Sequence, residues 1–144
     1  GSARTAQAPA WPVLEGLSMY SVRINERALR QPHWHPETAE MGYVLEGSGQ
    51  MTVLDPNGSA ETYMIEPGDV YFVPPAYPHH IENTGGETLH ILIFFSQSTP
   101  RDIGYRAAAG AYPAEVIATQ LGLTPHELLP FPLDIDDPLI VARL

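Results

Sequence analysis

Two short stretches decide the fold of this chain. The first is His33-Trp34-His35-Pro36-Glu37-Thr38-Ala39-Glu40, and the second is Gly68-Asp69-Val70-Tyr71-Phe72-Val73-Pro74-Pro75-Ala76-Tyr77-Pro78-His79. Side chains alternate along a strand with a period of two residues, so His33 and His35 are predicted to point to the same side. Glu40 and His79 would complete a set of three histidines and one carboxylate. Such a set suits Mn, Fe, Ni, Cu or Zn without choosing among them, so the sequence predicts a metalloprotein.

Short strand patterns alternate with turn sequences between Leu17 and Phe95. The patterns predict strands over residues 18–24, 42–45, 50–54, 62–65, 70–73 and 89–95. Turn chemistry separates them at 46–49, 55–58, 66–69 and 83–86. Many short strands at this spacing are typical of a sandwich or barrel. After them, residues 113–122 and 124–129 predict two short helices.

The length of 144 residues predicts one domain with a real core. We divide the chain into a flexible N-terminal arm over 1–12, a β-barrel over 13–98, and a helical extension and tail over 99–144. The acidic and then apolar end, residues 134–144, is expected to pack against the barrel or a neighbouring subunit.

Composition excludes several classes of function. The chain has no cysteine, which rules out disulfides and thiolate metal sites. Its formal net charge of −10 argues against nucleic acid and anionic membrane surfaces as partners. The first ten residues lack the apolar core of a signal peptide, so a cytoplasmic location is expected. Gly1-Ser2 looks like a cloning scar, and a secreted or periplasmic location applies if a leader was removed.

The two stretches resemble the two motifs of the cupin family. The matching positions are His33, His35, Glu40 and Gly47 in the first motif, and Gly68, Pro74, His79 and Asn83 in the second. Ala76 stands where the second motif usually has glycine, and we expect the loop there to be shaped differently, because a positive φ would be strained. Over roughly residues 11–123 the chain is more closely similar to the oxalate decarboxylase and germin-like branch, whose decarboxylases have two cupin domains.

The resemblance implies an all-β fold, a double-stranded β-helix or jelly-roll barrel with a short C-terminal helical extension. It implies that His33, His35, Glu40 and His79 hold one divalent transition metal, Mn first and Fe next, with Ni, Cu and Zn left open. It also implies that Arg30 is the catalytic and substrate-binding residue, because a guanidinium binds a carboxylate bidentately. Strict alternation would turn Arg30 away from His33, so Pro32 is expected to break the alternation locally. Phe72, Leu92 and Phe94 are interpreted as pocket-lining residues, with barrel filling as the alternative.

These inferences predict a metal-dependent enzyme acting on oxalate or a similar small carboxylate, by decarboxylase- or oxidase-type C–C cleavage with dioxygen. One position argues against decarboxylation, since Gln97 stands where the active domain of the family carries a lid glutamate, and glutamine is not a general acid. Another cupin enzyme (a dioxygenase, isomerase or germin-like dismutase) and a non-catalytic carboxylate- or metal-binding protein stay open. A homodimer or larger homo-oligomer is expected.

Overall fold

The computed structural model of the protein describes residues 1–128 and 138–143. Its elements, in chain order, are β1 (Ser2–Ala6), β2 (Ser18–Ile24), β3 (Ala28–Trp34), β4 (Glu40–Glu46), β5 (Gly49–Leu54), β6 (Ala60–Ile65), β7 (Val70–Val73), β8 (His79–Asn83), β9 (Leu89–Phe95), β10 (Ile103–Gly104), α1 (Tyr105–Gly110), α2 (Ala114–Leu121), α3 (Pro125–Leu128) and β11 (Ile140–Ala142).

The strands form two antiparallel sheets. The first sheet has the order β1-β2-β9-β4-β7, and the second has the order β10-β3-β8-β5-β6, with β11 paired to β3. The six strands expected from the pattern all appear, and the mostly β architecture confirms the predicted fold class. The chain passes repeatedly from one sheet to the other, which is the arrangement of a jelly roll.

The core lies between the two sheets, because alternate residues of the central strands, such as β2 and β4, point inward. Val22 and Ile24 of β2, Ile91 of β9 and Ile81 of β8 are almost fully buried there. Burying such side chains stabilises the fold by about 1.5–3 kcal/mol each. The core fills the middle of the barrel and leaves one end for polar side chains.

The expectation of a flexible N-terminal arm over residues 1–12 is wrong for Ser2–Ala6. These residues form β1, which pairs antiparallel with β2 over five residues at the edge of the first sheet. Apolar Ala3 packs against the core, which gives this edge strand an inner face.

The C-terminal segment contains both helices that the sequence indicated. Pro113 precedes α2, and Gly122 ends it in the left-handed conformation with φ 69°. Thr124 donates to the Glu127 carboxylate at the start of α3. The helix α1 and the short strands β10 and β11 were not expected. Part of the predicted tail, residues 134–137 and 144, lies outside the described residues, whereas Ile140–Ala142 extend the second sheet. No helix in the described part has the length and apolar character to cross a membrane.

Candidate metal centre

Both sheets contribute to one buried group of donors. His33 lies near the end of β3, His35 follows that strand, and His79 begins β8 opposite His33 in the register. Glu40 begins β4 in the first sheet. One ligand atom from each of the four residues lies within 4.8 Å of the others, and all four side chains are buried. The structure thus brings together the set that the sequence indicated.

Hydrogen bonds orient the three imidazole rings. Nδ1 of His33 lies 2.8 Å from the Gln31 carbonyl oxygen, and Nδ1 of His79 lies 2.9 Å from the Tyr77 carbonyl oxygen. Nδ1 of His35 lies 3.1 Å from Oδ1 of Asp102. Because these acceptors hold the proton on Nδ1, the Nε2 atoms can present lone pairs to a cation.

Tyr71 orients the carboxylate. Its hydroxyl donates to Oε1 of Glu40 at 2.7 Å, while Oε2 of Glu40 lies 3.0 Å from Nε2 of His35 and 3.3 Å from Nε2 of His79. Gly42 makes this contact possible, because a Cβ at that position would lie 2.1 Å from the Tyr71 ring. One oxygen of Glu40 is therefore fixed by the protein, and the other faces the histidines.

The charges of the group are consistent with cation binding. Burial opposes ionisation of Glu40, but the neighbouring His79 and His35 outweigh it and hold its pKa well below the usual value. Burial and the neighbouring Arg30 and His79 keep the pKa of His33 well below 6.5, so this ring is neutral. Burial would lower the pKa of His35, but hydrogen bonds to Asp102 and Glu40 raise it to about 9. Without a cation, that proton holds Glu40 and His35 together. The three nitrogens and one carboxylate oxygen fit a divalent transition metal.

A β-bulge brings Arg30 to the same side as the metal ligands. Arg30 pairs with Ile81 and His33 pairs with His79, so three steps along β3 oppose two steps along β8. Arg30 is only 4% exposed, and the intervening Pro32 is exposed. The local break in alternation expected at Pro32 is therefore present.

A cavity of about 290 Å³ lies beside the histidines. Its lining residues are Tyr20, Arg30, Gln31, His33, Pro100, Asp102, Gly104 and Leu139. Arg30 forms an ion pair with the Asp102 carboxylate, which also contacts His35. Burial raises the pKa of Asp102, but the hydrogen bond from His35 and the charge of Arg30 outweigh burial and lower this pKa to about 2. Asp102 is therefore an anion in the cavity, held between the arginine and a metal ligand.

The loop at Ala76 is not reshaped as we expected. Ala76 has a φ of 66°, the left-handed conformation that a glycine would adopt without strain. Its backbone N–H donates to the His35 carbonyl oxygen at 2.7 Å. The loop therefore keeps its form and positions a ligand strand, and the alanine carries the strain.

Phe72, Leu92 and Phe94 do not line the metal cavity. Glu40 faces inward together with its register partners Val73 and Phe95. The neighbouring residues along these strands, Met41, Phe72 and Phe94, pair with one another on the outer face. Phe72 is 55% exposed. The prediction that these residues line the pocket is wrong. Both faces of β7 and β9 carry apolar residues, so the sequence pattern alone does not show which face points inward.

Gln97 and Ser98, which follow β9, are hydrogen-bonded to residues 16 and 18. The Ser18 hydroxyl donates to the Gln97 carbonyl oxygen at 2.7 Å, and the Gly16 N–H donates to the Ser98 hydroxyl at 2.8 Å. The Gln97 residue is exposed. It does not place a side chain against the described ligands, and the cavity receives Asp102 instead.

Sequence reasoning missed Tyr71 and Asp102. Tyr71 has a partial signal, because it shares one face of β7 with Val73 while Phe72 lies on the other, but apolar residues on both faces leave the inward face undecided. Asp102 has none of this kind, because its contact with Arg30 joins residues 72 positions apart.

This arrangement defines a class of protein: a jelly-roll barrel with a metal-binding set of three histidines and one glutamate at one end. The sequence model described as Cupin matches residues 1–128, so the chain belongs to the cupin family.

Two curated relatives and one solved structure extend this assignment. Oxalate decarboxylase OxdC of Bacillus subtilis is 31% identical over 123 residues, which cover 85% of this chain and 32% of the relative. Germin-like protein subfamily T member 3 of Arabidopsis thaliana is 32% identical over 114 residues, covering 79% of this chain and 47% of that protein. A structure from work on the Mn(II) centres of Bacillus subtilis oxalate decarboxylase matches 99% of this chain and 37% of that chain, with a TM-score of 0.91 and 27% identity. The chain thus spans 32% to 47% of the length of these proteins.

Proposed function

We propose that this cupin is a metal-dependent enzyme that acts on oxalate or a similar small carboxylate. The observation that carries the proposal is the position of Arg30, a buried guanidinium that lines the same cavity as the metal ligand His33. The two groups could hold the two ends of one small dicarboxylate. The relatives named oxalate decarboxylase support this substrate class.

Asp102 indicates how such a substrate would bind. Its carboxylate already pairs with Arg30 and lies 3.1 Å from Nδ1 of His35, so a carboxylate fits this part of the cavity. A guanidinium accepts a carboxylate through two parallel hydrogen bonds. A substrate carboxylate would share Arg30 with Asp102 or take its place.

His33, His35, Glu40 and His79 would hold the metal, for which Mn is our first choice and Fe the second. The metal would supply Lewis acidity and, for Mn or Fe, one-electron redox chemistry. Arg30 would orient and neutralise the substrate, while Asp102 would keep His35 in the orientation that presents Nε2. Tyr20, whose pKa burial and Asp102 raise to about 12, would stay protonated at the cavity wall.

A second candidate is a carboxylate-binding protein without turnover. Formation of formate from oxalate consumes a proton, and among the described cavity-lining residues Asp102 is the only carboxyl group. Its pKa of about 2 leaves it ionised and unable to donate at neutral pH. Gln97 likewise supplies no acid.

Carbon-13 NMR of labelled oxalate with Mn-reconstituted protein in air separates these candidates. Formate with CO2 would establish a decarboxylase, and CO2 with hydrogen peroxide would establish an oxidase. Binding without consumption would support the carboxylate-binding protein, and neither binding nor consumption would refute oxalate as the ligand. His35→Ala, which should lose both metal and turnover, is the control for adventitious chemistry.

The role of Arg30 is tested by substitution. Arg30→Ala and Arg30→Lys should both weaken oxalate binding and leave the metal content unchanged, because lysine keeps the charge but not the bidentate geometry. Arg143→Lys is the matched control, since Arg143 pairs with Glu82 on another part of the surface. Unchanged oxalate affinity in both Arg30 variants would remove Arg30 from the site.

We also propose that two copies of the chain pair through the outer face of the first sheet. Met41, Tyr43, Val70, Phe72 and Phe94 are exposed there as neighbouring residues of three adjacent strands. A contiguous apolar patch of this kind usually marks an interaction surface.

A further inference from the structure

A polar cavity lies on the outer face of the first sheet, at the end opposite the apolar patch. Its volume is about 280 Å³, and its lining residues are Ser2, Arg4, Ser21, Arg23 and His90. In the register, Arg23 pairs with His90, and Arg4 pairs with Ser21. The intervening residues Val22 and Ile91 point into the core. The cavity is therefore separated from the metal centre by the thickness of the sheet.

His90 is buried but incompletely bonded. It is 7% exposed, and its Nε2 lies 2.8 Å from the Ser21 hydroxyl oxygen. Its Nδ1 is buried without a hydrogen-bond partner in the described part of the chain. The nearest carboxylate oxygen, on Glu46, lies 3.9 Å from Nδ1, which is too long for a hydrogen bond. Buried polar atoms without partners are uncommon and cost free energy, so a site of this kind needs an explanation.

The cavity is lined by basic residues although the chain as a whole is acidic. All seven basic residues are arginines, set against 17 acidic residues, yet two of the seven line this one cavity. The carboxylate that approaches it is Glu46, which lies 3.4 Å from Arg23 and is largely exposed. Two guanidinium groups beside an imidazole nitrogen without a partner form a set of donors that suits a small anion.

The tautomer of His90 favours donation into the cavity. Burial and the neighbouring Arg23 lower the pKa of His90, so the ring is neutral at pH 7. With its proton on Nδ1, His90 accepts from the Ser21 hydroxyl through Nε2, and the unpartnered Nδ1–H is free to donate to an anion in the cavity. The 3.9 Å separation from Glu46 argues against the alternative of a serine nucleophile, because activation requires the acid to hold the histidine.

We propose that this cavity is a second ligand site that binds a small oxyanion, either a phosphate group or a carboxylate, through Arg23, Arg4 and His90. The Ser21 hydroxyl donates to Nε2 of His90 and so holds the proton of the ring on Nδ1. Ser2 also lines the cavity, and we assign it no role in binding. Glu46 competes with the ligand for Arg23, and its exposure lets it move away when the anion binds.

Isothermal titration calorimetry of the metal-loaded chain with inorganic phosphate, and in parallel with acetate, tests the proposal. Arg23→Gln should weaken binding of the preferred anion by about tenfold or more, the loss expected for a charged donor. Ser21→Ala should weaken it by a smaller factor, and Glu46→Gln should strengthen it. Arg143→Gln removes the same charge from another part of the surface and is the matched control. Preference for phosphate or for acetate identifies the ligand chemistry.

Two results would overturn the proposal. The first is no binding of either anion to the wild-type chain at about 10 mM, a concentration that detects Kd values in the millimolar range. The second is a loss of anion binding in Arg30→Ala with full retention in Arg23→Gln, which would place the anion at the metal centre. Metal content measured in every variant separates this outcome from failure of the proposed enzyme function.

Discussion

Tyr71→Phe removes one hydroxyl from the support of Glu40 and should weaken metal binding. The hydroxyl donates to Oε1 of Glu40 at 2.7 Å, and Glu40 is buried, so the phenylalanine variant leaves a charged oxygen without that donor. A hydrogen bond to a charged group contributes about 1.5–3 kcal/mol. If this loss falls on the metal-bound geometry, the affinity decreases by about 10- to 100-fold, the range measured when partners of metal ligands are removed.

Chelator competition followed by metal analysis measures this affinity, and thermal unfolding checks that the variant is folded. Tyr43→Phe is the matched control, because Tyr43 lies on the same sheet with its side chain on the outer face. The reasoning is refuted if folded Tyr71→Phe binds metal as tightly as Tyr43→Phe does. That result would show that the other contacts of Glu40 fix the carboxylate by themselves.

Three further predictions concern protonation, backbone strain and assembly. Because the pKa of His35 is raised to about 9 in the metal-free protein, metal binding at pH 7 should release about one proton. The affinity for the metal should therefore rise about tenfold per pH unit up to pH 9. Calorimetry that gives the same binding heat in buffers of different ionisation enthalpy would contradict this prediction. Ala76→Gly should raise the free energy of unfolding in urea by about 0.5–1 kcal/mol, since relief of the left-handed alanine exceeds the added entropy of the unfolded chain; an unchanged or lower denaturation midpoint would argue against strain at Ala76. Phe72→Glu should convert a dimer to monomers in sedimentation analysis. Met64→Glu, which replaces another exposed apolar residue with a charged one, should leave the dimer intact. Equal behaviour of the two variants would exclude the outer face of the first sheet as the interface.

Short-range sequence pattern places the metal ligands, whereas residues distant in the sequence form part of their surroundings. His33 and His35 share a side because of strand periodicity, and the Gln31 carbonyl group that orients His33 lies two residues away in the sequence. Asp102 reaches the same centre from the segment after the barrel. Substitutions of the four motif ligands should therefore remove the metal, whereas substitution of Asp102 should alter the cavity and the orientation of His35.

Arg30 shows where a sequence pattern reaches its limit. Alternation by itself places Arg30 and His33 on opposite sides of β3, and Pro32 indicates a break without showing its direction. The bulge decides the matter, because β8 must pair with both parts of β3 and the mismatch of one residue turns Arg30 inward. Phe72, Leu92 and Phe94 show the same limit, because apolar residues occupy both faces of β7 and β9.

The sequence by itself determined the barrel, the turns and the four candidate metal ligands, because these depend on short-range periodicity and on motif spacing. Tertiary structure alone decided which apolar face of each strand is inside, that residues 2–6 form an edge strand, and that Asp102 lies between Arg30 and His35. It also brought Arg4, Ser21, Arg23 and His90 together from three strands. The physical reason is that strand register and packing set these contacts through interactions across long stretches of chain, whereas local pattern fixes only what lies within one strand or turn.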